Sequence, residues 1–237
     1  SPVSLSDDVY RYLWEGYVAW AGENPYAYSP ADPHWDTVGP ANLRDSVAHG
    51  QISAIYPPLS IWFFGLLSQF STEAWWAKLC MGMVDVAVVW LLAQVLIGRR
   101  RHLGPAWLYA LHPLGAVESA GSGHMEPLAL ACVLAAILSW DRKEGGSAWA
   151  ALGMWIKLLP GVLLLRMWPV RPGLLVVALA VGGLALWPFL DAGMMLFSGL
   201  EAYATRWSFN GGLFLLFDAI FGQFARPVAV VLGALIV

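Results

Sequence analysis

Two adjacent carboxylates, Asp7 and Asp8, stand at the head of a run in which Tyr10, Leu13, Trp14, Tyr17, Val18 and Ala21 recur at helical spacing. Ser6 can cap that helix, and both aspartates fall in its first turn, where they complement the exposed N–H groups and the helix dipole without any further role. The second reading is chemical: one of them points into a cavity and takes a proton from a hydroxyl as a general base. Neighbouring residues on a helix diverge by about 100°, so the pair does not converge on a single metal ion.

A second group surrounds Gly121-Ser122-Gly123: Glu118, His124 and Glu126. Their i, i+6, i+8 spacing matches no common metal-ligand signature, which leaves mutual hydrogen bonding or binding of an acceptor as the preferred readings. Lys157 interrupts an apolar stretch just before Pro160-Gly161. It lies about ten residues from either flank, too deep to snorkel easily, and a buried ammonium suits a phosphate or carboxylate partner. Asp85 is also deep in an apolar run, where pairing with a lysine of a neighbouring helix gives it a structural role. Farther on, Arg206, Trp207 and Asn210 offer a bidentate oxyanion contact, a ring face and an amide suited to sugar hydroxyls. An interfacial Trp/Arg anchor explains the same residues without a ligand. Cys80 and Cys132 sit in apolar runs and read as small hydrophobes. There is no Walker loop, no dinucleotide fingerprint, no zinc signature and no defensible Ser/His/Asp order, so neither metal nor cofactor is expected.

The elements that must hold these residues are transmembrane helices. Hydrophobic residues make up 59% of the chain and charged residues 12%, about half the charged fraction of a soluble domain. Apolar runs long enough to cross a bilayer keep recurring, at roughly 20 residues each, and the 14 tryptophans suit the membrane–water boundary. The net charge of −3 is too small to imply nucleic acid as a partner. The expectation is an all-α, polytopic helical bundle spanning residues 1–237 as one domain, with membrane lipids around it.

Residues 1–74 read as a long external loop carrying juxtamembrane helices, the second over Ile55 to Phe70. Spans occupy 75–190. The first, Trp75 to Ile97, ends at Arg99-Arg100-Arg101-His102, which the positive-inside rule places in the cytoplasm. Leu103 to Glu118 returns outward, and Met125 to Trp140 runs back to Asp141-Arg142-Lys143-Glu144. Arg166 and Arg171 suggest a second cytoplasmic end, so 147–168 is expected to be a broken hairpin turning near Lys157 and Pro160. Leu174 to Leu190 goes outward, 191–225 is an external loop, and 226–237 starts another helix. An opening at Ser1 and a stop inside the apolar run Pro227 to Val237 read as a fragment. On this map the polar residues gather on the non-cytoplasmic face.

The order of these segments resembles a known family. Ser6-Asp7-Asp8-Val9-Tyr10-Arg11-Tyr12-Leu13-Trp14-Glu15-Gly16, then Gly22-Glu23-Asn24-Pro25-Tyr26, then Ile55-Tyr56-Pro57-Pro58-Leu59 is similar to the first external loop of GT-C-type membrane glycosyltransferases. The likeness is greatest to bacterial polyprenyl-phosphate-mannose-dependent mannosyltransferases. Gly123-His124-Met125-Glu126-Pro127-Leu128, Lys157-Leu158-Leu159-Pro160 and Trp207-Ser208-Phe209-Asn210-Gly211 follow in the same order. The resemblance implies transfer of a hexose from a polyprenyl-monophosphate carrier to a glycan or lipid-linked acceptor outside the cytoplasm. It maps the base to Asp8, with Asp7 as second choice. Such a transfer needs cations at the departing phosphate, for which Lys157, Arg206 and Arg11 are the candidates, and Tyr56, Glu118, His124, Glu126, Trp207 and Asn210 are the candidate substrate contacts. His124-Met125-Glu126 stands where relatives often carry Asn or Asp, which bears on the acceptor. Two other classes share the pattern of broken helices and intramembrane charges: a transporter or lipid flippase, and a non-catalytic subunit of the same fold.

Overall fold

In the computed structural model, residues 6–139, 145–161, 173–206, 211–225 and 228 are described. Asp7 occupies the N-cap of α1 (Asp8–Trp20), and Gly22, at φ 88°, follows the helix end. Val9, Tyr12, Gly16 and Ala19 are buried along one face. That face meets α3 (Pro58–Ser68), whose φ-fixed Pro58 suits the first helical turn. The two helices cross backbone to backbone at glycines. A Cβ built on Gly16 would lie 2.3 Å from the Gly65 nitrogen, and one on Gly65 would lie 2.7 Å from the Gly16 carbonyl. Small residues are what permit such an approach.

The stretch between these helices holds a five-residue 3₁₀ turn (Pro33–Thr37), α2 (Ala41–Asp45) and a loop that wraps the end of a buried arginine. Arg11 is 4% exposed. It donates to Glu15 Oε1 at 2.9 Å and to the carbonyls of Ile52 (3.0 Å), Ala48 (2.8 Å) and His49 (2.9 Å). Arg11 is thereby used up as a strut that pins the loop to α1. Burial pushes its partner Glu15 up to about 7 against the opposing pull of Arg11, and Glu15 Oε2 makes no hydrogen bond.

Helix α4 (Ala74–Gly98) matches the first expected span almost residue for residue, and it is long and apolar enough to cross a bilayer. Helices α5 (Gly104–Leu111) and α6 (Pro113–Ala116) follow, then a π-helical turn over Val117–Gly121. The chain next bends by 116° into α7 (Glu126–Leu138). Val9, Leu13, Met81, Met125, Cys132 and Ile156 share one buried cluster, which joins α1, α4, α7 and α8 (Gly145–Ile156). Both cysteines are buried free thiols, as their apolar setting implied. Asp85 does have a structural partner, but it is the Tyr109 hydroxyl, which donates to it at 2.6 Å, and not a lysine.

Helix α8 ends at Ile156, so Lys157 falls just beyond it, before a turn at 158–160. Most of the remainder of the expected hairpin, including Arg166, lies outside the described residues, and so does Arg171 beyond it. Helix Gly173–Leu186 continues into 3₁₀ geometry over Trp187–Phe197, with non-helical Gly193 (φ 54°) inside it, and then into helix Ser198–Arg206. The expected external loop from 191 is therefore helical on both sides of Gly193, as far as 206. Asp191, Ser198 and Glu201 signal polarity there without ending either helical piece. Asn24 Nδ2 donates to the Phe189 carbonyl at 3.0 Å, and Trp62 Nε1 to that of Ala185 at 2.9 Å, tying this segment to the opening region. The stretch Val176–Thr205 also has the length and apolarity of a span.

The chain divides into two compact units, Ser1–Gly199 and Leu200–Val237. In the second, helix Gly211–Phe221 and a 3₁₀ turn at Gly222–Phe224 are described. The helix expected over 226–237 lies outside the described residues apart from 228. The fold is all-helical, with no strand among the described residues.

Candidate functional site

The π turn brings the site together. In an α-helix, residues 118 and 124 would point to different faces. Here Ser122 N donates to the Val117 carbonyl at 2.8 Å, and His124 N to the Glu118 carbonyl at 2.9 Å. The backbone thus folds back on itself, and Gly123, at φ 78°, completes the reversal. Glu118 Oε2 then lies 2.6 Å from His124 Nδ1. Such π turns often mark functional positions in helical proteins.

The other ring nitrogen of His124 faces α1. Nε2 is 3.5 Å from Asp8 Oδ2, yet it is buried and makes no hydrogen bond. A buried polar atom left in that state calls for an explanation. The imidazole is 19% exposed, whereas Asp8 is 44% and Glu118 39% exposed at their side chains. The three groups form a line from Glu118 through His124 to Asp8, with a carboxylate on each ring nitrogen. Because those nitrogens diverge, the carboxylates do not converge on one point. No metal-holding cluster of three His, Cys, Asp or Glu residues forms among the described residues.

Two tyrosines stand on the inner side of Asp8. Tyr12, one α1 turn along, packs edge-on against Tyr56 with ring centroids 4.9 Å apart, and their hydroxyls are 3.4 Å apart. Burial holds the Tyr12 phenol well above its usual range, and the Tyr56 hydroxyl and the Asp8 charge add to that. Tyr12 therefore stays protonated and can only offer a neutral O–H. Tyr26 fixes Tyr56 from behind, its hydroxyl donating to the Tyr56 carbonyl at 2.7 Å.

Of the residues singled out by sequence, Asp8, Glu118 and His124 meet directly, while Tyr56 adjoins them through Tyr12. Glu126 turns instead to Lys157, the two forming an ion pair with 53% and 37% of their side chains exposed. Lys157 thus has a carboxylate partner, one of the two kinds its setting suited, but it is partly exposed and not deeply buried. Arg11 is enclosed by Glu15 and loop carbonyls and does not reach the site. Asp7 caps α1 by position, without a side-chain hydrogen bond to the helix. Arg206 ends its helix, and Trp207 and Asn210 lie outside the described residues.

Sequence reasoning missed Tyr12 and Lys78. A Cβ at Gly123 would meet Val9 Cγ2 at 3.0 Å and Lys78 Cγ at 3.1 Å, so the Lys78 stem passes beside the residue next to His124. The available signal was a lone lysine in the second turn of the first span.

The arrangement can do acid–base chemistry. A carboxylate half open to solvent faces an imidazole whose far nitrogen is engaged by a second carboxylate, the geometry by which a proton acceptor is oriented and its charge balanced. No curated protein and no solved structure matches the chain. The model of one family, described as alpha-(1->6)-mannopyranosyltransferase, N-terminal domain, matches residues 1–182. With more than three quarters of its length so matched, and with helices fit to cross a bilayer, the chain belongs to this family of mannosyltransferase-like membrane proteins.

Proposed function

We propose that this protein transfers mannose from a polyprenyl-monophosphate carrier to a hydroxyl of a glycan or lipid-linked acceptor, on the non-cytoplasmic side of the membrane and with inversion. Family membership supports glycosyl transfer and the class of sugar. The observation that carries the mechanism is the line Glu118–His124–Asp8.

In this reading Asp8 accepts the proton of the acceptor hydroxyl while its oxygen attacks the anomeric carbon from the face opposite the phosphate. The bond from that carbon to the phosphate oxygen breaks with its electron pair, and polyprenyl monophosphate departs. Asp8 is preferred to Asp7 because it is the aspartate that faces His124. The imidazole positions the carboxylate, and Glu118 positions the imidazole. Tyr12 donates to the Tyr56 hydroxyl and so orients it for a sugar beside Asp8. Positive charge at the leaving phosphate lowers the barrier. The candidates for that role are Lys157, here held by Glu126, and Arg206. Trp207 and Asn210 are candidate contacts to the substrates. The reading calls for no metal.

Asp8→Asn tests it, with radiolabelled polyprenyl-phosphate mannose and acceptor supplied to sealed vesicles of each orientation. Loss of about 100-fold or more in turnover is expected, with Asp7→Asn largely active. Unchanged turnover in Asp8→Asn sinks the assignment. Transfer confined to the cytoplasmic face refutes the sidedness.

A further inference from the structure

A groove runs beside the site, along the first part of α4. It encloses a cavity of about 1030 Å³, at the upper end of the size of ligand pockets, roughly 300–1,000 Å³. Its two ends differ in chemistry. One is polar: Tyr10, Asn42, Ser46, Thr72 and Lys78 line it, together with one acid, Glu73. The other is an apolar stripe of Trp75, Leu79, Met83 and Val86, whose exposures are 60%, 48%, 55% and 70%. These four lie at i, i+4, i+8 and i+11, on one side of a helix fit to cross a bilayer, and the stripe runs for about 16 Å along it. Gly82 and Ala120 also line the groove and pack closely, with a Cβ at Gly82 coming 3.3 Å from that of Ala120.

Lys78 sits where the two ends meet. Its stem packs on Gly123, beside His124 and Val9, and it forms no ion pair or hydrogen bond among the described residues. Arg11 and Lys157, by contrast, each already have a carboxylate. An ammonium outside any ion pair, beside the first turn of an apolar track and packed on the residue before His124, complements a phosphate joined to a long hydrocarbon chain.

We infer that Lys78 holds the phosphate of the isoprenoid-linked donor, and that Trp75, Leu79, Met83 and Val86 carry its first isoprene units along α4. This rests on the function proposed above and supplies a cation and a path which that proposal lacks. A bilayer phospholipid has the same head-to-tail chemistry, but the Lys78 stem packs on Gly123, the residue before His124, and that neighbourhood favours the donor.

The test reconstitutes the membrane protein in phosphatidylcholine liposomes and follows photo-crosslinking of a benzophenone-bearing polyprenyl monophosphate, which requires no turnover. Lys78→Ala is expected to weaken capture about tenfold or more, and Lys78→Arg to restore most of it. Met83→Trp, at an exposed position, should weaken capture of the long-chain probe and spare a probe of two isoprene units. In turnover assays Lys78→Ala should raise the donor KM and leave the acceptor KM unchanged. Unaltered capture in Lys78→Ala, or crosslinks mapped away from 75–86, overturns the inference. So does capture of photoreactive phosphatidylglycerol that depends on Lys78 while that of the polyprenyl probe does not, which would make this a bilayer-lipid site. Because capture is read without sugar transfer, an inactive Asp7 and Asp8 chemistry leaves this result standing, and failure of capture leaves the Asp8→Asn test standing.

Discussion

Glu15→Gln should stabilise this protein above neutral pH, although it removes one partner of a buried ion pair. Glu15 is 2% exposed, and burial raises its carboxyl from 4.5 to about 7 despite Arg11. A carboxyl raised in the folded state binds its proton more tightly there than in the unfolded chain. Its contribution is therefore fully present below pH 4.5 and is lost as pH rises through about 7. The difference amounts to about 3 kcal/mol between the ends of that window. Glutamine keeps an oxygen for the Arg11 N–H group 2.9 Å away, and it imitates the neutral acid at every pH. Arg11 is not stranded, because three loop carbonyls also hold it. Unfolding in lipid nanodiscs, followed by tryptophan fluorescence between pH 4.5 and 8.5, would show wild-type stability falling across the window and a flatter profile for Glu15→Gln. The variant should exceed the wild type by up to about 3 kcal/mol at pH 8. Parallel profiles, or a variant less stable at pH 8, would refute the reasoning and show that the charged pair is favourable where it lies.

Two further outcomes follow from the geometry. Gly16→Ala would drive a methyl into the Gly65 backbone, where 2.3 Å is available, so a destabilisation of about 1–3 kcal/mol, or poor membrane yield, is expected; the same thermal assay reads it. Glu118→Gln leaves the shape of the line intact but removes the charge on the far side of His124, 2.6 Å from Nδ1. The kcat should fall at least about tenfold, with donor capture and folding unchanged, and with His124→Ala epistatic to it in the double variant.

Helix existence was legible where periodicity and composition agreed. The span at Trp75 to Ile97 and the helix after Ser6 emerge with nearly the expected bounds. The stretch from Asp191 was misread because isolated polar residues resemble a loop in composition, while backbone hydrogen bonding does not depend on them. Asp8 was legible as a candidate, and so was the gathering of Glu118 with His124, but not its cause. Six residues of separation means nothing in an α-helix; it becomes a contact through a π turn and a glycine at positive φ. Arg11 misled for the opposite reason. Its neighbours in sequence suggested a site cation, while the carbonyls that enclose it come from residues 48–52, which no local pattern announces. Lys78 stayed hidden because a lysine close to the end of a span reads as an interfacial anchor.

The π turn has a consequence for how this protein can change. What it sets is a count of residues and not their identities. A substitution inside the turn leaves its residue count unchanged, whereas removal of a single residue from Val117–Gly121 restores ordinary helical phase. Everything after it would then rotate by about 100°, carrying His124 away from both Glu118 and Asp8 while α7 remained a good helix. A protein shortened there would fold, insert and be silent.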